Sequence, residues 1–415
     1  MNFSEIMFHV IAGLSLLNFA RIAYMLLGAD LYDIRHARKQ AAKKRPYKPL
    51  ITVIIPAYNE EVGVLRTLTS VLENNYSKKQ VIVVNDGSTD RTLAKLRNFQ
   101  RKHQGRFTIV NQQNSGKATA INRAVSHWAK GKLVMVVDAD SVLDRQAIGR
   151  MVEHFRDPRV VASAANVKII PHRALLGIVQ RFEYLISYRL KRASTLASME
   201  YIVGGVGSTF RKSALVKVGL YDTDTMTEDI DVTLKLIRQF GNRYYRINYA
   251  ADAIAFTEHV LSFRSLIRQR FRWKYGRMQS LFKNSQLFFS KDKKYRKQLT
   301  WYQLPYAVFG EVALLLEPLL VGFILVTTVL FFDLTSLVSV YLIVTGFVFL
   351  LVLGEETETL PAKLLLSALL PLLYFLLYIL SVVEFAALVQ SIKNAPQLLR
   401  RSHSTSSWEH VERIG

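Results

Sequence analysis

Between residues 50 and about 165, short β-branched apolar runs alternate with stretches whose apolar residues recur at helical spacing. The runs at 51–57, 81–85, 108–111, 133–137 and 160–164 read as strands, and the stretches at 65–72, 92–100 and 118–128 as helices. That order predicts an α/β domain of Rossmann-like character, with a mostly parallel sheet and crossover helices. Three of the strands run directly into polar residues: Tyr58-Asn59-Glu60, Asp86-Gly87-Ser88 and Asp138-Ala139-Asp140. Ligands of open α/β sheets sit beyond the carboxyl ends of the strands, so these three segments are expected to line one crevice.

Outside that region the pattern changes to long apolar runs at 6–27, 306–332, 337–353 and 364–389, which predict about four membrane-spanning helices. The first has no basic segment before it and no small-residue cleavage site, so it reads as a retained anchor. Residues 35–48 carry seven Lys or Arg and no acid, which places them and the following domain on the cytoplasmic side of the plasma membrane. Glu311, Glu317 and Pro318 within the second run suggest that part of it lies along the interface, leaving the number of full crossings and the side of the C-terminus open.

Half of the 415 residues are hydrophobic and the net charge is +23. A soluble protein of that charge would suggest nucleic acid as partner. Here the basic residues cluster beside apolar runs, where anionic lipid headgroups attract them, so the lipid bilayer is the expected partner and nucleic acid is not. The absence of cysteine removes disulfides, zinc–thiolate sites and a thiol nucleophile. No Gly-x-Gly-x-x-Gly follows the first strand and no P-loop is present, so dinucleotide binding and ATP hydrolysis have no support.

The candidate chemistry lies in four short segments in fixed order. Asp138 and Asp140 are alternate residues leaving an apolar strand; both can reach one hard divalent cation, Mg2+ or Mn2+, that neutralises a diphosphate. An isolated Asp-x-Asp is often a solvated strand end, but the buried strand before it and the two neighbouring polar strand ends favour the metal. In Asp86-Gly87-Ser88 the glycine allows close backbone approach and Asp86 can accept from a nucleobase N–H, although Asp-Gly is also an ordinary turn. Lys117, near the start of a helix, is placed to meet phosphates or a sugar ring. Thr227-Glu228-Asp229 opens a helix; acids there often only complement the helix dipole, but a displacement at an anomeric carbon needs a general base and this pair supplies one. The fourth segment, Gln269 to Trp273, lies in a basic amphipathic helix over 262–282. Most of its charges suit a membrane surface, whereas the indole of Trp273 suits a sugar ring and the guanidinium of Arg272 a diphosphate.

With these segments in place, the chain resembles the processive inverting family 2 glycosyltransferases, particularly the poly-β-1,6-N-acetylglucosamine synthases, with chitin oligosaccharide and hyaluronan synthases close behind. The resemblance implies a GT-A domain plus transmembrane helices. It also implies donor contacts from Pro56, Tyr58, Glu60, Asp86, Lys117, Asp138, Asp140 and Arg272, with metal on Asp138 and Asp140 and Asp229 as catalytic base. Acceptor contacts are implied for Gly205, Ser208, Glu228, Gln269 and Trp273, and Trp408 with Arg413 resembles the family's short tail motif. The expected organisation is an anchor at 1–30, a basic linker at 31–49, the catalytic domain at 50–260, interface helices at 261–300, a membrane region at 301–392 and a tail at 393–415. A regulatory domain with cyclic-nucleotide control is not expected within this chain.

The implied function is transfer of sugar from a UDP-sugar, UDP-N-acetylglucosamine first, to a growing β-linked polysaccharide, coupled to export with accessory membrane or export subunits as candidate partners. The alternative is a single addition to a lipid or lipid carrier. A non-catalytic scaffold or transport subunit is disfavoured, because none of the acids is missing.

Overall fold

The computed structural model describes residues 3–41, 47–172, 174–331, 334–355 and 358–399. Trp408 and Arg413 lie outside the described residues.

A single eight-stranded sheet organises the α/β part. Its strands are β1 (Ile51–Ala57), β2 (Lys79–Asp86), β3 (Thr108–Gln112), β4 (Leu133–Val136), β5 (Ser141–Leu143), β6 (Val160–Ile169), β7 (Ser208–Arg211) and β8 (Arg246–Thr257), in the order β3-β2-β1-β4-β7-β6-β8-β5. The half from β3 to β4 is parallel, as the sequence predicts. β7 enters antiparallel to both β4 and β6, and β5 antiparallel to β8, so the far half is mixed. β1 explains why the apolar runs are unbroken: Ile54 joins the core on one face, while Val53 and Ile55 join the core on the other. A strand covered on both faces carries no polar alternation.

Helices α2 (Val64–Leu72), α3 (Thr92–Lys102) and α5 (Ala147–His154) belong with one layer, and α4 (Lys117–His127) and α8 (Glu228–Phe240) cover the other. The long α6 (Leu175–Leu196) links β6 to the loop before β7, and the short α7 (Lys212–Lys217) follows β7. Then come α9 (Phe263–Lys283), α10 (Leu304–Phe331), α11 (Leu334–Gly354) and α12 (Leu360–Leu399). The N-terminal helix α1 runs unbroken from Phe3 to Ala41, so the expected anchor and most of the expected basic linker are one helix.

The described residues of the four apolar runs lie in helices. Among the described residues, Gln298–Leu330 and Phe375–Pro396 are long and apolar enough to cross a membrane. α12 also packs on α6 and α9: Leu376, Leu380 and Val383 share a core with Leu176 and Val179 of α6 and with Leu266 of α9. The α11–α12 connection is held to the same side by buried ion pairs, Glu358 with Lys168 at 2.8 Å and with Arg181 at 2.7 Å, and Glu355 with Arg192 at 3.0 Å. Removing one partner of such a buried pair would leave an uncompensated charge, at a cost of about 3–5 kcal/mol.

Candidate active site

The crevice is built where the ends of β1, β2 and β4 meet the loop before β7 and the start of α8. The β1 and β2 ends are laced together through backbone groups. Asn59 N donates to Ser88 Oγ at 3.0 Å, Asn59 Oδ1 accepts from Thr89 N at 2.8 Å, and Glu60 N donates to Thr92 Oγ1 at 2.9 Å. Tyr58 and Glu60 are therefore carried on a fixed turn, in which Asn59 adopts a positive φ of 54°. Pro56 lies within β1 opposite Val84.

Asp86 is fully buried, and its carboxylate organises the next loop. It accepts from Gln112 Nε2 at 2.6 Å, Ser115 N at 3.1 Å and Gly116 N at 2.9 Å. An ionised carboxylate has about four acceptor positions, so a base N–H would share this group with the loop. Gly87 is required by the same packing: its φ is +72°, and a Cβ there would fall 2.5 Å from the backbone nitrogen of Asn114. The loop launches α4, whose first residue is Lys117.

Lys117 is the hub. Its ammonium lies 2.8 Å from Asp138 Oδ1 and 3.0 Å from Glu228 Oε1, joining the end of β4 to the first turn of α8. Burial pushes the Lys117 pKa down, but Asp138, Glu228 and Asp229 more than offset that and hold the ammonium well above its usual range. The glycine loop closes over this pair: a Cβ on Gly205 would lie 2.9 Å from Lys117 Nζ and 3.0 Å from Asp138 Oδ2. One on Gly204 would sit 4.0 Å from Asp229 Oδ2. Ser208 donates to the Gly205 carbonyl at 3.3 Å and holds the loop's shape.

Asp229 sits in the first turn of α8 and accepts from Ile230 N at 2.8 Å. Burial first, then the neighbouring charge of Glu228, raises its pKa from 3.8 to about 6, against the pull of Lys117. Thr227 makes no side-chain cap, and Glu228 reaches across to Lys117, so these acids do more than complement a helix end. A carboxylate raised toward neutrality in a crevice is suited to general base work.

Asp140, two residues beyond Asp138 and buried, accepts from Ser141 Oγ at 2.8 Å. Asp138 is partly exposed, and in this structure its cationic partner is Lys117. The donor set fits a hard divalent ion: two carboxylates at alternate positions, beside a glycine at which a Cβ would stand 3.0 Å from Asp138 Oδ2.

α9 brings in the fourth segment. Gly276 packs so closely on Thr227 that a Cβ would fall 2.8 Å from its backbone nitrogen, and Gln279 Oε1 accepts from Met226 N at 2.9 Å. Gln269, Arg272 and Trp273 precede Gly276 by seven, four and three residues. They therefore share its face of the helix, the face turned toward the start of α8. Arg272 is exposed and ion-paired to none of the described residues, while Arg270 lies over the Trp273 ring at 4.4 Å.

One expectation needs correction. Several α9 charges do not lie on a membrane surface: Arg270 and Lys274 are buried and pair with acids of the neighbouring helices. Arg270 makes two 2.7 Å bonds to Glu183 of α6, and Lys274 lies 2.9 Å from Glu311 of α10 and 2.6 Å from Glu384 of α12. Arg277 also pairs with Glu311. The charges fasten α9 to α6, α10 and α12, which fixes the height of the Gln269–Trp273 face. Tyr221 was not singled out from the sequence. It is buried against the site with its hydroxyl bonded to Ser208, and its backbone exchanges hydrogen bonds of 2.8 and 3.0 Å with the Asn122 side chain. No local pattern marks it, because its place depends on contacts 99 residues apart.

Residues 52–219 match the family Glycosyl transferase family 2. The chain is 35% identical over 282 residues to a poly-beta-1,6-N-acetyl-D-glucosamine synthase of Staphylococcus aureus, covering 66% of each chain. It is 37% identical over 228 residues to one of Staphylococcus epidermidis, covering 54% of each. The matched stretch is thus just under two thirds of the length of the former. Among solved structures, a mannosyltransferase from Pyrobaculum calidifontis in complex with GDP-Man and Mn2+ is similar in fold. Its TM-score is 0.58 at 22% identity, over 90% of this chain and 96% of that one.

Proposed function

We propose that this chain, whose residues 52–219 match glycosyl transferase family 2, is an inverting, membrane-bound transferase that extends a β-linked polysaccharide from UDP-N-acetylglucosamine. The observation that carries this reading is the Lys117 bridge between Asp138 and Glu228, which joins the end of β4 to the first turn of α8, where Asp229 stands. A candidate base and a cation able to meet a diphosphate thus border one crevice.

Asp229 takes the proton of the acceptor hydroxyl as that oxygen bonds to the anomeric carbon. The bond from that carbon to the diphosphate breaks, and UDP leaves with the electron pair from the opposite face, so an α-linked donor gives a β-linked product. Lys117 and Arg272 supply positive charge to the diphosphate, and Asp138 and Asp140 would hold Mg2+ or Mn2+, which would supply further positive charge to the leaving group. The β1–β2 turn with Pro56, Tyr58 and Glu60 borders the nucleotide, and Asp86 fixes the loop beneath it. Gly205, Ser208, Glu228, Gln269 and Trp273 border the acceptor, with the indole as platform for the terminal sugar.

The identity to the two staphylococcal synthases supports N-acetylglucosamine as the unit and polymer as the product. The seating of α9 and the α11–α12 connection against the catalytic part supports delivery of product toward the helices of the C-terminal region, and accessory export subunits would bind there. The test is a panel of UDP-sugars given to the purified chain with Mg2+ or Mn2+, with released UDP and product length both measured. Single-sugar products would replace polymer extension by transfer to a lipid or lipid carrier.

A further inference from the structure

Away from the crevice, two imidazoles and a carboxylate from three separate elements converge on one point. His36 of α1 places Nε2 3.2 Å from Asp252 Oδ2, and His154 of α5 places Nε2 2.8 Å from Asp252 Oδ1. The two rings stack with centroids 5.0 Å apart and planes 12° from parallel. One ligand atom from each residue lies within 4.8 Å of the others.

Asp252 is presented by an irregularity in β8. The register of β8 with β6 breaks between Ala250 and Ile254, so residues 251–253 leave the ladder. The break is pinned on both sides: Asn166 Nδ2 donates to the Ala251 carbonyl at 2.9 Å, and Arg150 Nη1 to the Asp252 carbonyl at 2.9 Å. Bulges of this kind re-aim side chains at working positions. This one turns the Asp252 carboxylate toward both histidines.

We propose that His36, His154 and Asp252 form a binding site for a borderline transition-metal ion, Zn2+ first, that clasps the N-terminal helix to the catalytic domain. In a tetrahedral zinc site with bonds of about 2.0–2.2 Å, ligand atoms stand roughly 3.3 Å apart. The two imidazoles stand 3.2 and 2.8 Å from the two carboxylate oxygens and the three ligand atoms lie within 4.8 Å of one another, so modest side-chain movement would bring them to that spacing. His36 and Asp252 are about a quarter exposed, which leaves a side open for entry and for a water as fourth ligand.

The donor set also selects the ion. One carboxylate with two imidazoles suits Zn2+, Co2+ or Ni2+, whereas Mg2+ and Ca2+ need several oxygens. Arg35 and Arg38, exposed on the same helix, further disfavour ions held by charge alone. Each imidazole gives the ion its Nε2 lone pair, so any proton there moves to Nδ1 or is released to solvent. The site uses none of the crevice residues and does not depend on the donor or product assigned above.

The test uses the full chain in detergent with excess Mg2+ present, so that the Asp138–Asp140 position is occupied. Titration with Zn2+ should show one equivalent bound and a rise in melting temperature. Co2+ should give the visible ligand-field bands of a four-coordinate nitrogen–oxygen site. His36→Ala and the milder His36→Gln should each weaken Zn2+ binding by about 10-fold or more and remove the cobalt bands, while Asp140→Asn retains both. Absence of stoichiometric binding to the wild-type chain would overturn the proposal, leaving a hydrogen-bonded clasp alone. Binding unchanged in both His36 variants would overturn it equally.

Discussion

Acidification should titrate the base directly. With a pKa raised from 3.8 to about 6, Asp229 is about one-tenth ionised at pH 5, whereas an ordinary aspartate would be more than nine-tenths ionised there. If Asp229 takes the proton, kcat/KM should fall about 10-fold from its plateau by pH 5, with a limiting slope of one. The assay is the initial rate of UDP release at saturating metal and constant ionic strength from pH 4.5 to 8, with soluble oligosaccharide as acceptor. Glu228 supplies the second cause of the raised value, so Glu228→Gln should move the acid limb to lower pH even where it lowers the plateau. Asp229→Asn should lose about 10²-fold or more at every pH while donor binding survives. The sign for stability is opposite. A carboxyl whose folded pKa is raised stabilises the fold below its unfolded pKa, and that contribution is lost as pH rises through about 6. Asp229→Asn should therefore melt at or above the wild-type temperature at pH 7.5, with the difference shrinking toward pH 4. A rate that stays flat to pH 5, or an acid limb that ignores Glu228→Gln, would refute the base assignment.

Other perturbations separate the remaining roles. Asp140→Ala should weaken donor binding and its dependence on Mn2+, read by calorimetry with UDP; unchanged metal dependence would show that Asp138-Ala139-Asp140 is only a strand terminus. Trp273→Ala should abolish elongation while donor binding persists, and long product at full specific activity on the folded fraction would exclude the platform role. Gly276→Val should push α9 off Thr227, where even a Cβ would stand 2.8 Å from backbone nitrogen, and depress transfer far more than UDP binding; normal transfer would mean that the contact between α9 and α8 is not needed.

Most of the parallel half of the sheet was legible because β1, β2 and β4 are largely buried and announce themselves as apolar runs, as Ile51–Ala57 does. β5 and β7 have only three and four residues, and β8 carries Asp252 and four alanines, so neither length nor alternation marked them. They depend on pairing with distant strands. In the site, Asp138, Asp140, Lys117, Glu228 and Asp229 were readable because each follows a strand or opens a helix, where side chains face a crevice. Asp86 was readable as a position, while its engagement with the 112–116 loop was not. The charges of α9 looked like a lipid-facing stripe because their partners, Glu183, Glu311 and Glu384, lie on helices whose docking no local pattern encodes.

The central claim is that one crevice binds a nucleotide sugar on Lys117, Asp138 and Asp140 and deprotonates a polymer end at Asp229. Its most direct test is the length distribution of product made by the purified chain in liposomes from UDP-N-acetylglucosamine and Mn2+. The account predicts metal-dependent UDP release matched by β-linked chains of many sugars, both lost in Asp229→Asn. Single-sugar products, or wild-type chain growth in Asp229→Asn, would contradict it.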